Sequence, residues 1–497
     1  MKKVCLALGI VAVAAVLVTT ASAANRGVEF IDPGNFDNSG PFAFTITSDG
    51  STLGGSQGAG LANCIAWDED SGWSLVATSD NGCYMSKDGM QWGSALADMD
   101  GVEHMSRYNP MTMQQEVVNE LPELAPCDFF QSSTFGISGD GRTLAGLGWA
   151  GCTSARAITS FDDVPGGTMT RYVSFPADNT RSNRMNGADG DGSLLFGWQD
   201  TPFGSRLGAR WDDGAAVGEW FCEPDDPFFL FCGEAFRSNW DGSAIVGGNF
   251  TTPDTFGISE GWLWTEMDGI RGTGQLPGAF FLDQGFNFAV SEDGMTTGGR
   301  FGFGPFSSAT LWTEATGIIN LNQFLIDQGR TEPFDGWFLV QVNDMSEDYR
   351  LAVWAAAPGS FFGNQTVIID IGKVSVCHAP PGNPENARTL NIGWESVADH
   401  VAHGDFLGVC EAAGGGFARS ASANEFFGVD PTDECFQRAV GKYMATHSAM
   451  QMPTAKEMQQ MIDASGNCGE RRVRRQINAQ DESAPATAPT KRRVRRR

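Results

Sequence analysis

Asp241-Gly242-Ser243-Ala244-Ile245-Val246-Gly247-Gly248, followed further on by Trp264-Thr265, is the stretch whose reading decides the fold. Asp-Gly favours a tight turn with positive φ, so it predicts a hairpin corner between two antiparallel strands. Ala244-Ile245-Val246 has the apolar, β-branched character of a buried inner strand. The Gly pair lets two backbones approach closely. Asp293-Gly294-Met295-Thr296-Thr297-Gly298-Gly299 with Trp312-Thr313 repeats the pattern.

The full motif is Ser-x-Asp-Gly, a short apolar run, Gly, then a Trp-bearing strand. Asp140, Asp191, Asp241, Asp293 and Asp348 are separated by 51, 50, 52 and 55 residues. Asp49 stands 91 residues before Asp140, which leaves room for a degenerate copy at Ser86-Lys87-Asp88-Gly89. A period near 50 holds four short strands, the content of one propeller blade. Trp67, Trp211, Trp264 and Trp312 are placed to fill the gaps between neighbouring blades. The fold expected is all-β, a six- or seven-bladed β-propeller. An open β-solenoid or two stacked sandwiches are the alternatives. Val28 and Phe30 near the start, and Thr366 to Ile371 at the end of the repeats, are candidates to complete one blade together.

Ser308-Ala309-Thr310-Leu311-Trp312-Thr313 and Gly317-Ile318-Ile319-Asn320-Leu321 carry a resemblance to bacterial extracellular HAF-repeat proteins. Gly208-Ala209-Arg210-Trp211 and Gly261-Trp262-Leu263-Trp264-Thr265 are looser matches. The resemblance covers roughly residues 40–355. It implies a repeat fold and secretion, and it implies no catalytic residues.

The flanks place the chain outside the cytoplasm. Residues 1–23 read as a signal peptide: Lys2 and Lys3, an apolar run from Leu6 to Val18, then Ala21-Ser22-Ala23. No later stretch reaches transmembrane length. Without Cys5 there are ten cysteines: Cys64, Cys83, Cys127, Cys152, Cys222, Cys232, Cys377, Cys410, Cys435 and Cys468. The even number predicts disulfides and falls into sequential pairs, although spacing alone does not fix the connectivity. Residues 26–372 form the repeat region, 373–412 a Cys/His-rich module, 413–470 a linker and helical hairpin, and 471–497 a disordered basic tail.

Val374-Ser375-Val376-Cys377-His378-Ala379-Pro380-Pro381-Gly382-Asn383-Pro384 opens the module as a strand and a Pro-rich loop. Trp394 to His403 reads as a short helix ending before Gly404. His400 and His403 share a helix face. A bridge between Cys377 and Cys410 brings His378 toward them, and Asp405 is near. His378, His400, His403 and Asp405 are therefore candidate ligands for a divalent metal, Zn or Cu. The bland alternative is a disulfide-stapled miniature fold with hydrogen-bonded histidines; thiolate ligation of Zn by Cys377 and Cys410 is a third option. The stretch resembles a Cys/His module found at the ends of bacterial extracellular proteins, with Cys-His-x-Pro-Pro-Gly-Asn-Pro, His-x-x-His-Gly-Asp and Gly-x-Cys in that order. No activity is carried over from it.

Asp430-Pro431 and Thr454-Ala455-Lys456-Glu457 are helix starts, and Cys435 and Cys468 would bridge the two helices. Charge is uneven. Residues 471–497 carry +8 while the whole chain carries −27, so residues 1–470 carry −35. An acidic repeat body repels nucleic acid and anionic lipid, and its bland reading is solubility or Asp used for turns. Arg471, Arg472, Arg474, Arg475, Lys491, Arg492, Arg493, Arg495, Arg496 and Arg497 are candidates to bind an anionic envelope polymer.

Signals for catalysis are sparse. Ser86-Lys87-Asp88-Gly89-Met90-Gln91-Trp92 resembles the Asp-box turn of sialidases, one residue short, and such turns are structural. Asp189-Gly190-Asp191-Gly192 starts like a Ca²⁺ loop without the ligands that should follow. No His-Glu-x-x-His or phosphate-binding loop occurs. The expected function is binding, with a surface glycan or an exported protein as ligand. The alternatives are a glycan hydrolase with its site in the propeller channel and metal binding by the Cys/His module.

Overall fold

The computed structural model describes residues 27–410, except 37–40, 58–61, 119–125, 165–166, 173–181, 202–204, 213–217, 224–230, 253–257, 280–282, 304–306, 331–335, 358–364, 381–382 and 384–385. The chain divides into two units, Met1–Ser422 and Ala423–Arg497. The second unit lies outside the described residues, so the expected helical hairpin, the Cys435–Cys468 bridge and the basic tail do too. So does the expected signal peptide. No described helix is long and apolar enough to cross a membrane.

The described repeat strands form seven four-stranded antiparallel sectors, at 41–77, 83–117, 132–172, 183–220, 235–272, 284–320 and 338–370. The fifth and sixth touch through one pairing, Gly248 opposite Phe286. The first strand of each sector packs on the sector before it. Pro41–Ile46, which opens the first sector, packs on the seventh. The order is therefore cyclic, and the architecture is propeller-like. The seventh sector takes its outer strand from the other end of the repeats: Glu29–Ile31 pairs with Gln365–Asp370, with Phe30 opposite Ile369. Val28 is buried in the same core as Val367 and Ile369.

One hydrogen-bond network builds every corner between first and second strands. Ser138 Oγ donates to Asp140 Oδ1 at 2.6 Å and accepts from Thr143 N at 2.9 Å. Ser86, Ser291 and Ser346 do the same with Asp88, Asp293 and Asp348. Thr47, Asp189 and Asn239 supply the acceptor of the same later backbone N–H in the other three. Asp189-Gly190-Asp191-Gly192 is thus a repeat corner. Ser86-Lys87-Asp88-Gly89 is likewise a corner, in a sector of its own. The glycines take φ near +70°, for example Gly141 at 74° and Gly242 at 70°. The seventh corner has Tyr349 there at φ 64°, an uncommon conformation for a bulky residue. Its ring packs near Trp394, and its hydroxyl donates to Asp293 Oδ2 at 3.3 Å.

The Trp-bearing strand is the third of four, since a tight turn returns the chain into an outer strand. Each ring meets the preceding sector. Trp67 packs with Ala352 and Ile368 of the seventh, Trp211 with Ala145 and Ala157 of the third, and Trp312 with Ala244 and Leu263 of the fifth. Arg210 lies over the Trp264 ring at 4.5 Å. Four disulfides join sequential cysteines: Cys64–Cys83, Cys127–Cys152, Cys222–Cys232 and Cys377–Cys410.

The Gly that stands six residues after five of the seven corner Asp residues has a steric cause. A Cβ at Gly55, Gly146, Gly197, Gly247 or Gly299 would run into a backbone carbonyl of the first strand, that of Arg184 for Gly197. Gly197→Ala is expected to cost about 1–3 kcal/mol, because backbone cannot yield as a side chain can. Denaturant unfolding checks this. An effect no larger than that of Ala at open Gly72, which meets nothing within 4 Å beyond its own positive φ, would refute the steric reading.

Beyond the sectors, Lys373–His378 forms the centre of a three-stranded sheet, between Arg388–Gly393 and Phe406–Leu407. A 3-10 turn at Trp394–Ser396 leads into a helix at Val397–Ala402, and Gly404 follows at φ 89°. Val374, Trp394 and Val397 share one core with Leu321, Phe324 and Leu325 of the helix Leu321–Asp327. The Trp394 indole N–H donates to Thr296 Oγ1 at 3.0 Å.

Candidate functional site

Six of the seven first strands carry a β-bulge. Pairing skips from Ala43 to Thr45, Thr134 to Gly136, Met185 to Gly187, Ala235 to Arg237, Asn287 to Ala289 and Val342 to Asp344. A bulge leaves one residue unpaired and re-aims its side chain. The residues so freed are Phe44, Phe135, Asn186, Phe236, Phe288 and Asn343. All six line one axial channel of about 350 Å³, joined by Tyr84 of the second sector. Each stands five residues before its repeat Asp. In five of the six, the Gly opposite the bulge is the one with no room for a Cβ; at Asn343 the residues opposite are Val353 and Ala352.

The channel is aromatic and basic. Trp354 and Phe196 complete the aromatic wall, and Arg184, Arg237 and Arg300 supply cations. Among its described lining residues there is no carboxylate. Carboxylates behind the wall are committed. Glu234 accepts from Arg184 at 2.7 Å and from Arg206 at 3.1 Å. Asp344, 1 % exposed, accepts from Lys87 Nζ at 2.9 Å and lies 3.7 Å from Arg237. Arg184 sits over the Phe135 ring at 4.4 Å, and Arg300 over the Phe286 ring at 4.7 Å. Burial pulls the Arg184 guanidinium below its ordinary pKa, and Glu234 pushes back. Burial also lowers the Lys87 ammonium, against the opposing pull of Asp344.

One end of the channel is narrowed by the corners themselves. The variable residue of each motif faces the axis: Ser48, Lys87, Gly139, Gly190, Trp240, Glu292 and Glu347. Their backbones run into a girdle. Glu347 N donates to Ser48 O at 2.9 Å, Ser48 N to Lys87 O at 2.8 Å, Lys87 N to Gly139 O at 3.0 Å, and Gly190 N to Trp240 O at 2.7 Å. Trp240 N donates to Glu292 Oε2 at 3.3 Å. The Trp240 ring lies across Gly139 and Gly190, where any Cβ would strike it. That explains glycine at those two variable positions.

In the Cys/His module the structure brings together three of the four expected metal ligands. Asp405 Oδ2 is 2.8 Å from His378 Nδ1 and 2.6 Å from His400 Nδ1. One atom from each of these three residues falls within 4.8 Å of the others. Asp405 is 1 % exposed and also accepts from Ala379 N at 3.1 Å. Burial alone would raise its carboxyl, but the two imidazoles and this N–H hold it down at about 2. His403 ends the helix, exposed, its ring 6.4 Å from that of His400, and does not join the group. Cys377 and Cys410 are bridged, so thiolate ligation by this pair is replaced by a disulfide.

Other sequence signals resolve as structure. His104, without an evident partner in the sequence, is buried with Nε2 3.1 Å from Asp98 Oδ2 across a tight turn. Gly54-Gly55-Ser56-Gln57-Gly58 has the Gly-x-Ser-x-Gly spacing of a nucleophile elbow, which corrects the sequence reading that no such elbow is present. Ser56 is fully buried within the strand Thr52–Gln57, not on a strand-to-helix turn, so it has no access to substrate. Asp213, Asp225 and Asp226 lie outside the described residues.

No protein-family model matches this chain, and no curated protein matches it either. Solved structures do. The β-propeller domain of the Trilobed protease from Pyrococcus furiosus is 10 % identical, with a TM-score of 0.41, over 67 % of this chain and 93 % of that one. U3-55K is 11 % identical, with a TM-score of 0.39, over 69 % and 98 %. TolB from Acinetobacter baumannii is 12 % identical, with a TM-score of 0.33, over 57 % of this chain; the match spans 62 % of TolB.

Proposed function

We propose that this chain is an exported binding protein: a seven-bladed β-propeller that holds a surface glycan in its axial channel. The observation that carries the reading is the ring of bulge residues. Six sectors turn one side chain each toward the axis, and those side chains are rings and amides. Rings stack on sugar faces, and amides exchange hydrogen bonds with hydroxyls. A volume of about 350 Å³ suits a small ligand or the end of a chain rather than a folded protein. Export is supported by four disulfides, which persist in oxidising compartments. Hydrolysis of a glycosidic bond ordinarily needs two carboxylates flanking the bond; the aromatic stretch of the channel has none among its described lining residues, while Glu292 and Glu347 face the axis only at the narrowed end.

The test is titration of the purified protein with envelope oligosaccharides, alongside Phe236→Ala/Phe288→Ala. Binding by the wild type that falls at least tenfold in the variant is expected, as for stacking contacts of about 1–3 kcal/mol each. Equal binding by both proteins removes the channel from the reading.

A second reading is favoured by the convergence of His378, His400 and Asp405. A divalent ion, Zn or Cu, would replace the protons shared between the imidazoles and the carboxylate. Elemental analysis of protein purified with and without His378→Ala/His400→Ala decides it. Loss of bound metal in the variant is expected, and unchanged metal content ends the reading.

A further inference from the structure

Three arginines line the aromatic stretch of the channel, and among its described lining residues no carboxylate does. Glu234 is shared by Arg184 and Arg206, and Asp344 by Lys87 and Arg237. The Arg300 side chain has no hydrogen bond or ion pair with any described residue. Its guanidinium rests against the rings of Phe286, at 4.7 Å, and Phe288, at 5.8 Å. This occurs in a chain of net charge −27, where acidic groups are in excess almost everywhere else. A half-buried guanidinium held only by aromatic rings keeps its planar fork of donors open to water or to an anion brought from outside. Burial draws its pKa down to about 10, with no carboxylate holding it up.

We propose that the channel takes a sugar ring bearing an anionic group, with Arg300 as the anchor for that group. The inference rests on the channel-binding reading above and names its ligand class. Arg300 presents a planar fork of donors that matches a carboxylate or a phosphate. It sits beside Phe288, one of the bulge residues, so the anion and the ring of one ligand are met by adjoining groups. Arg237 lies in the same wall and adds positive potential, although Asp344 already neutralises part of it. Carboxylate and phosphate share this chemistry, and the test separates them.

The experiment uses the full chain and three probes: D-glucose, D-glucuronate and glucose 6-phosphate, followed by titration calorimetry at two salt concentrations. At least one anionic sugar is expected to bind about tenfold or more tighter than glucose, the scale of a hydrogen bond to a charged group. The advantage should shrink as salt rises. Arg300→Gln should erase it, and Arg300→Lys should retain part of it, with both variants melting near the wild type. Whichever anionic sugar gains identifies the group. If glucose binds as tightly as both anionic sugars, the inference is overturned while channel binding stands. If no probe binds, this ligand class is overturned, and the oligosaccharide titration above judges the channel separately. If Arg300→Gln keeps the full advantage, Arg300 is not the anchor.

Discussion

Asp344→Ala is expected to lower the unfolding free energy by about 3–5 kcal/mol, the cost of removing one member of a buried ion pair. Asp344 is 1 % exposed. It accepts from Lys87 Nζ with both oxygens at 2.9 Å and from Ile46 N at 2.9 Å, and it faces Arg237 at 3.7 Å. These partners belong to the second, first and fifth sectors, while Asp344 belongs to the seventh. One carboxylate therefore ties four sectors together near the axis. Its loss leaves two cations and a backbone N–H uncompensated. Asp344→Asn should recover part of the loss, since an amide oxygen can still accept from Ile46 N. Glu314→Ala is the control: its pairing with Arg271 is solvent-exposed and should be worth no more than about 1 kcal/mol. Urea unfolding monitored by Trp fluorescence measures all three. An Asp344→Ala loss no larger than the control would show that the cations find other partners.

Removing the bridge between the first two sectors, by Cys64→Ala/Cys83→Ala, should cost about 3 kcal/mol on the loop-entropy account. The bridge closes 19 residues, and both cysteines are fully buried. It joins a third strand of one sector to a first strand of the next, across a boundary also held by side-chain packing and by the Ser48 N to Lys87 O hydrogen bond. The comparison is wild type against variant, with and without dithiothreitol. The variant should unfold at lower denaturant in both conditions, and reduction should shift it less than it shifts the wild type. A variant as stable as the oxidised wild type would mean that packing around Trp92 and Met85, with the hydrogen bonds between the two corners, holds the boundary without the bridge.

Much of the architecture was legible because corners are local chemistry. A Ser or Thr two residues before Asp, with Gly after, satisfies its own hydrogen bonds within a few residues, so the motif and its period announce the sectors. Closure was legible from the alternation of Val28 and Phe30 at one end and the β-branched run Thr366 to Ile371 at the other. The channel was not. Phe44, Phe236 and Phe288 read in sequence as further apolar strand residues, and Asn186 and Asn343 as turn formers. Their shared offset from the repeat Asp was the available signal. In the Cys/His module, spacing placed His400 and His403 on one helix face. His403, the residue capping that helix, stays exposed, while His378 and His400 meet Asp405.

What the chain's order of residues determined by itself was the unit: the corner, the buried inner strand, the glycine that permits close approach and the cysteines in sequential pairs. What only the tertiary structure decided was which residue of each unit meets the axis. A bulge breaks the two-residue alternation of a strand, and pairing with the neighbouring strand alone locates it. The imbalance of charge around Arg300 is of the same kind, because the groups that meet in the channel are separated by hundreds of residues in the chain and become neighbours only when the sectors close into a ring.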